Sequence, residues 1–270
     1  MSKTKTDFLT LILIAAFSFI LATAFHEHGG HALACAVQGG LTKELGAFYI
    51  DCDYRAMSDF GVRMVAFAGP LMSLLVGLVS MVFFDRTAKT QSARKFFWWH
   101  FATANLMVAT GYLLFSGFSG IGDLGMGPNE GLHGLEPAWL VRVGEVILGV
   151  ASYVGVILVS IRKMDTFIGG EGNERVGRAQ MLSLTAYLTG GIVSVLIGFL
   201  NPHGIIIVLI SSVASGMGGT SGMAWMMQLL DRKKNTGDTP FTLERQWGWI
   251  IGSAVFLVLY TVILGPTIYL

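Results

Sequence analysis

Charged residues are scarce in this sequence. Only 13% of its 270 residues are charged, against about a quarter in ordinary soluble domains, whereas 53% are hydrophobic. This composition excludes an ordinary soluble domain, so we expect an integral membrane protein that crosses the lipid bilayer several times. The net charge of +1 gives no indication of a nucleic-acid partner, and we expect none.

Cysteine is also rare. The two cysteines are Cys35, in the first apolar segment, and Cys52, in the loop after it. Two thiols in such positions do not indicate the disulfide framework of a small secreted domain, so no framework is predicted and the redox compartment stays open. The sequence also lacks heptads, internal repeats and low-complexity tracts.

Seven apolar runs are long enough to form transmembrane helices, because a helix needs about 20 residues to cross roughly 30 Å of hydrocarbon. The runs are about 8–31, 61–84, 97–117, 138–161, 179–200, 204–230 and 247–269. The first is too long to be a cleaved signal peptide. Residues 39–58 alternate apolar and polar side chains and are predicted to form a short surface hairpin. We therefore expect an all-α polytopic membrane protein of about seven helices with one hairpin.

The positive residues orient this predicted bundle. Most lysines and arginines fall on one side of the seven spans, and that side should be the cytoplasm. They are Lys3, Lys5, Arg86, Lys89, Arg94, Lys95, Arg162, Lys163, Arg175, Arg178, Arg232, Lys233, Lys234 and Arg245. The opposite side holds the acidic stretch 118–137. We expect a cytoplasmic N-terminus and an outer C-terminus, in the inner membrane of a bacterium.

A cluster of ionisable residues lies at the end of the first apolar run. The stretch "HEHGGH", residues 26–31, contains three histidines and one glutamate. Ionisable side chains at membrane depth are costly, so such residues indicate a functional site. Imidazole and carboxylate groups together are typical zinc ligands.

The spacing of this cluster leaves more than one ligand set open. Zinc hydrolases usually carry H-E-x-x-H on a helix, with the glutamate handling protons, whereas this chain has H-E-x-x-x-H. On a regular helix His26 and His31 would point about 140° apart. A π-helical bulge, favoured by the two glycines, would bring both onto one face with Glu27 beside them. A regular helix would instead pair His31 with His28, at i and i+3, or with Glu27, at i and i+4. We favour the bulge.

Asp123 is the candidate for a third ligand. It follows the third predicted span in the stretch "SGFSGIGDLG", on the same non-cytoplasmic side as the histidine cluster. Among the other histidines, His100 is predicted to be interfacial because it lies near the opposite end of its helix. His133 and His203 lie in loops, where the sequence assigns them no role.

Three segments, in order, resemble the site-2 proteases, a family of intramembrane zinc metalloproteases. "HEHGGHALA" looks like the family's H-E-x-G-H-A-x-A helix, "FAGPLMSLLVG" looks like its A-G-P helix, and "SGFSGIGDLG" looks like a variant of the segment that supplies the aspartate ligand. The histidine spacing is one residue longer than in the family. Ser73 stands where the family often has asparagine, and Leu124 follows Asp123 where glycine is usual.

This resemblance implies a three-helix catalytic core in residues 1–125, followed by a C-terminal membrane bundle of about four helices in residues 126–270. It implies that Zn²⁺ is held by His26, His31 and Asp123, and that Glu27 is the general base in cleavage of a transmembrane or membrane-proximal peptide segment. The alternative is a catalytically inactive pseudoprotease that binds metal or client helices. The partners would be the bilayer and a membrane-protein or peptide substrate.

Overall fold

The computed structural model describes residues 6–237 and 239–270, which are mostly helical. Six helices in this part of the chain are long and apolar enough to cross a membrane. They are α1 (Phe8–Val37), α2 (Asp59–Arg86), α3 (Ser92–Ser119), α4 (Ala138–Ile168), α5 (Gly172–Gly198) and α6 (Trp247–Leu264). The chain is therefore a polytopic integral membrane protein built from helices, as its composition predicts.

Large apolar side chains remain exposed along the outer faces of these helices. On α2 the exposed stripe includes Leu75, Leu78, Val79 and Val82, whose exposed fractions lie between 47% and 54%. Their spacing puts them on one helix face. Soluble proteins rarely expose an apolar stripe of this length, and lipid tails are its natural solvent.

The buried interior lies where α1, α3, α4 and α5 meet. Trp99 of α3 is fully buried and donates its indole N–H to the carbonyl oxygen of Ser160 on α4 at 3.0 Å. On the other side of α3, α2 packs against α3 and against the second half of α1. Helices α2 and α3 thus both lie against the end of α1 that carries the histidines.

The second half of α1 contains the predicted bulge. Phe25–Ala32 form a π-helix between the α-helical parts Phe8–Ala24 and Leu33–Val37. Gly30 lies so close to α2 that a Cβ atom there would come within 2.7 Å of the carbonyl oxygen of Ala68. The bulge therefore forms where glycine weakens the regular helix and where the backbones of α1 and α2 come close together.

The predicted hairpin is present and gains a third strand. Strands β1 (Leu41–Leu45) and β2 (Ile50–Asp53) pair antiparallel, and β3 (Ile268–Tyr269), at the C-terminus, pairs with the other edge of β1. The register places Leu45 opposite both Ile50 and Ile268. The end of α1 and the end of α6 therefore lie at the same end of the bundle.

The predicted span 204–230 is not one continuous helix. It is divided into a short α-helix (Ile205–Ile207), a π-helix (Val208–Gly218), a helical turn (Gly222–Trp225) and a 3₁₀ turn (Met226–Leu229). Glycines and hydroxyl residues in "SGMGGTSG", residues 215–222, interrupt the apolar run and weaken a regular helix there. We call residues 205–229 the interrupted segment.

The two flanks of the interrupted segment contact opposite ends of the bundle. Before it, His203 lies 2.9 Å from the Glu44 carboxylate of β1. After it, Phe241 donates its backbone N–H to the carbonyl oxygen of Ile168, at the end of α4. At this second end Arg245 also pairs with Asp7, which caps α1 by accepting the backbone N–H of Thr10.

Cys35 and Cys52 form a disulfide, which the sequence had not indicated. Cys35 is on the last helical turn of α1, and Cys52 is on β2. Their pairing depends on the hairpin folding back over the end of α1, and this arrangement is not visible in residue spacing. The bond ties the hairpin to the helix that carries the histidines.

Candidate metal centre

Three side chains converge between α1 and the loop after α3. The His26 Nε2 atom lies 3.0 Å from Oδ2 of Asp123, and Nε2 of His31 lies 3.2 Å from the same oxygen. The two Nε2 atoms are 3.3 Å apart. His26 and His31 are buried, and Asp123 is half-buried. The structure therefore brings together all three predicted ligand residues.

The π-helix explains why both histidines face Asp123. Residues five apart diverge on an α-helix, whereas π-helical turns follow an i→i+5 pattern that places such residues above one another. His26 and His31 are the pair related in this way, and both lie inside the π-helical stretch Phe25–Ala32. The π-helix thus accommodates the extra residue of H-E-x-x-x-H.

The second ring nitrogen of each histidine is held by α2. Nδ1 of His31 lies 2.7 Å from the carbonyl oxygen of Val65, which can only accept, so Nδ1 carries the proton. Nδ1 of His26 lies 3.0 Å from Oγ of Ser73. The ring of Tyr112 stacks on that of His26, with centroids 5.1 Å apart. These contacts fix both rings and leave the His31 Nε2 lone pair free for a cation.

Gly69 allows α2 to lie directly against the two imidazoles. A Cβ atom at this position would lie within 2.7 Å of Nε2 of His26 and closer still to Nε2 of His31. No side chain larger than hydrogen therefore fits here without moving the rings. This glycine belongs to the "AGP" stretch, residues 68–70, which resembles a segment of the site-2 proteases.

A compact loop presents Asp123. Gly120 ends α3 in the left-handed conformation, with φ of 80°, and turns the chain towards the histidines. Glu130 accepts the backbone N–H of Gly122 at 2.8 Å and that of Gly127, so one carboxylate joins both sides of the loop. Burial alone would raise the pKa of Asp123, but the positive charge and hydrogen bonds that His31 and His26 supply when protonated outweigh burial and hold that pKa well below its usual value.

Two spaces adjoin the group. An outer cleft of about 300 Å³ is lined by Glu27, His31, Asp123, the end of the hairpin and part of the interrupted segment. An inner cavity of about 40 Å³ lies on the other side of His26, deeper in the bundle. Glu27 is buried, with 8% of its surface exposed, and it lines both spaces.

The donor set and its spacing fit a tetrahedral zinc ion. Zinc binds histidine nitrogen and carboxylate oxygen at roughly 2.0–2.2 Å, which places tetrahedral donors about 3.4 Å apart. The separations of 3.0, 3.2 and 3.3 Å are close to that value. Three protein ligands leave a fourth position open, which is the arrangement of catalytic rather than structural zinc.

The remaining histidines lie outside this group. The ring of His28 points towards Tyr260 of α6, with ring centroids 6.4 Å apart. His100, predicted to be interfacial, is fully buried, with Nδ1 2.5 Å from Oγ of Ser18, because α1 covers that face of α3. His133 is exposed in the loop after α3, and His203 pairs with Glu44 of the hairpin.

Four further residues complete the site, although the sequence alone assigns none of them a role: Ser73, Gly69, Tyr112 and Glu130. Ser73 could have been suggested by its place four residues after Gly69 in the family-like segment. Tyr112 and Glu130 carry no comparable signal, because only the packing of α3 and its loop brings them to the histidines.

No protein-family model matches this chain, and no curated protein or solved structure is significantly similar to it.

Proposed function

We propose that this chain is an intramembrane zinc metalloprotease of the site-2 protease type, which cleaves a transmembrane or membrane-proximal peptide segment. The observation that carries the proposal is the convergence of the ligand atoms of His26, His31 and Asp123, all within 4.8 Å of one another, beside the buried Glu27. The resemblance of the three sequence segments to that family supports it.

The residues that would hold zinc are His26, His31 and Asp123. Two imidazoles and one carboxylate favour zinc over calcium or magnesium, which prefer all-oxygen ligand sets. When bound, zinc would supply a water of lowered pKa, about 7, and polarise a substrate carbonyl. His31 Nδ1 donates to the carbonyl oxygen of Val65, and His26 Nδ1 shares a hydrogen bond with Oγ of Ser73, so both Nε2 atoms stay directed at this position.

Glu27 is the residue to which we assign proton transfer. It follows His26 directly and lines the outer cleft, where a peptide and its attacking water would meet. As a carboxylate it takes a proton from that water, and as a carboxylic acid it returns the proton to the departing amine. Its burial keeps bulk water from competing for the same proton.

The substrate would reach the outer cleft as an extended strand. A helix in lipid has all its backbone groups internally bonded, so it must unwind before its carbonyl can react. Strand β2 has an unpaired edge within the described residues, and Tyr49, Ile50 and Tyr54 at its ends line the cleft. Strand addition to that edge would hold the unwound segment beside the metal group.

For the topology we propose seven passages through the membrane. The six long helices and the interrupted segment alternate between the two ends, because the flanks of residues 205–229 contact opposite ends of the bundle. Arg86, Arg162 and Lys233 fall at the end that carries Asp7, which we assign to the cytoplasm. Lys3 and Lys5, counted on the same side, lie outside the described residues.

The disulfide supports the same orientation. Disulfides persist in oxidising compartments such as the bacterial periplasm and are rare in the cytosol. The pair Cys35–Cys52 lies at the end of the bundle that holds the hairpin and the metal group. We therefore assign that end, with the C-terminus, to the outside of a bacterial inner membrane.

Metal analysis of the purified protein tests the site. We expect about one zinc per chain, lost in His31→Ala and Asp123→Ala and kept in the control His133→Ala. His26→Ala should also lose the metal, whereas His28→Ala should keep it. Zinc retained in both His31→Ala and Asp123→Ala would overturn the site.

Proteolysis is tested with a panel of tagged single-span reporter helices in the same membranes. Wild type should cleave at least one reporter, and Glu27→Gln should retain zinc but cleave none. If zinc-loaded wild type and Glu27→Gln both capture reporters intact, the alternative of a pseudoprotease that holds client helices replaces the protease.

A further inference from the structure

Several polar side chains line the inner cavity although it lies inside a membrane bundle. Its walls include the hydroxyl groups of Ser73, Ser194, Ser212 and Ser215, together with the side-chain amide of Asn105. Polar side chains at this depth are costly unless they serve a ligand or a pathway. Structural packing of α1 against α3 would be served as well by alanine and leucine.

Two polar atoms in its walls have no partner within the described residues. Asn105 is fully buried, and its Nδ2 donates to the carbonyl oxygen of Phe101 at 2.8 Å, but its Oδ1 accepts nothing. Oγ of Ser194, on α5, is also buried and unpaired. Asn105 on α3 therefore has an unused acceptor, and Ser194 on α5 has a hydroxyl that can both donate and accept.

The inner cavity adjoins the proposed reaction site. Its lining includes His26 and Glu27, and it shares five lining residues with the outer cleft. They are Glu27, Phe48, Tyr112, Ser211 and Ser215. A peptide lying in the outer cleft with its carbonyl at the metal group would direct a neighbouring side chain into the inner cavity.

We propose that the inner cavity is a specificity subsite, which takes a small hydroxyl-bearing side chain, serine or threonine, next to the scissile bond. This inference rests on the proposed function and names its substrate class. The hydroxyl would donate to Oδ1 of Asn105 and pair with Oγ of Ser194. Both atoms that the free protein leaves unpaired would then be satisfied.

Size and polarity both select such a residue. A single water needs about 10–15 Å³ of cavity space, so about 40 Å³ suits a hydroxymethyl group. The aromatic rings of Phe19, Phe48 and Tyr112 form part of the wall and exclude a larger side chain. An apolar side chain of similar size would leave two buried polar groups without partners, and sites built for hydrogen bonding discriminate strongly against such analogues.

The test uses peptidyl hydroxamates that differ only in the side chain beside the zinc-binding group: serine, alanine, leucine or phenylalanine. With purified zinc-loaded protein, the serine compound should bind at least about tenfold more tightly than the leucine compound. Asn105→Leu, which keeps the number and branching of the side-chain heavy atoms but removes the amide, should reduce that ratio to about threefold or less. Ser194→Ala should reduce it as well, and it covers the case in which Asn105→Leu does not fold.

The matched control is Thr103→Val, on the same helix. The Thr103 hydroxyl is buried and bonds to Ser160 of α4 at 3.1 Å, away from the cavity. This variant should keep the full preference for serine. Equal binding of the serine and leucine compounds by wild type would overturn the subsite while leaving the zinc site intact. Failure of every hydroxamate to bind zinc-loaded protein would overturn the proposed function, and the subsite with it.

Discussion

At the scale of single residues, the metal group depends on how closely α2 approaches the two imidazoles. Gly69 sets this distance, because its hydrogen occupies the space beside both Nε2 atoms. Its neighbour on α1 is Gly30, so two glycines face one another across the helix contact. Small residues at such contacts let membrane helices pack closely, and here the close packing also positions ligands.

Gly69→Ala should therefore weaken metal binding. The added methyl group must push the His31 and His26 rings apart, so zinc affinity should fall by roughly 10–100-fold, as it does when other groups that orient ligands are lost. Competition against a calibrated chelator measures this change. The control is Gly144→Ala on α4, where a methyl group meets nothing within 4 Å. An unchanged zinc affinity in Gly69→Ala would contradict the close approach.

Glu130 is a positioning residue for Asp123. Its carboxylate accepts two backbone N–H groups, and an amide in its place can accept with only one of its two ends. We expect Glu130→Gln to lower zinc affinity by about tenfold through displacement of Asp123. Glu174→Gln, an exposed change at the other end of the bundle, is the control. If Glu130→Gln reduces thermal stability but leaves zinc affinity unchanged, the loop is structural only.

The residues that the sequence predicted and those that it missed differ in a physical way. His26, His31 and Asp123 could be found because an ionisable group at membrane depth is unusual wherever it occurs. Ser73 and Glu130 are ordinary polar residues whose role depends on what they contact. The Ser73 contact with His26 spans 47 residues of sequence, so no local pattern reveals it.

At the scale of helices and strands, glycine decides where the backbone departs from the α-helix. The two glycines of the histidine cluster allow the π-helix that an insertion of one residue requires. The glycines of "SGMGGTSG" interrupt the apolar run after α5 in the same manner. The first departure was predictable because ligand geometry demanded it. The second was not, because hydropathy measures how apolar a segment is and not whether its helix continues.

Deleting one glycine from the Gly29–Gly30 pair should be tolerated. Either deletion gives the same chain, with H-E-x-x-H and one glycine before His31, and a regular helix then presents His26 and His31 on one face. Zinc affinity should change by less than about threefold, and thermal stability should not fall.

The control deletes Ala16 from the regular part of α1. There the loss of one residue rotates the first turns by about 100°, which takes Leu11 and Ile14 out of the interior. This variant should not accumulate in the membrane. If the glycine deletion behaves in the same way, the π-helix is required for folding and is not merely a way of accommodating the extra residue.

At the scale of the whole molecule, several contacts between distant segments hold the outer end of the bundle together. The disulfide joins α1 to β2, strand β3 brings the C-terminus to the hairpin, and Tyr260 of α6 donates its hydroxyl to the carbonyl oxygen of Ala47. The hairpin that borders the outer cleft is thus fixed from three directions. The alternating pattern of residues 39–58 predicts the hairpin but none of these contacts, because each contact joins segments that are distant along the chain or folded back on one another.

A chain that crosses the membrane seven times and one that crosses it six times differ in where they place the loops on either side of the interrupted segment. Single cysteines at Thr90, His133, His203 and Lys233 can be labelled with a membrane-impermeant maleimide on intact cells, and the pairing of Cys35 with Cys52 keeps the background low. With seven passages, probes at residues 133 and 203 should react, and probes at residues 90 and 233 should react only after the membrane is opened.

If residues 203 and 233 both react from outside, the interrupted segment does not cross the membrane. If residue 90 reacts and residue 133 does not, the orientation is the reverse of the one proposed, and the metal group faces the cytoplasm.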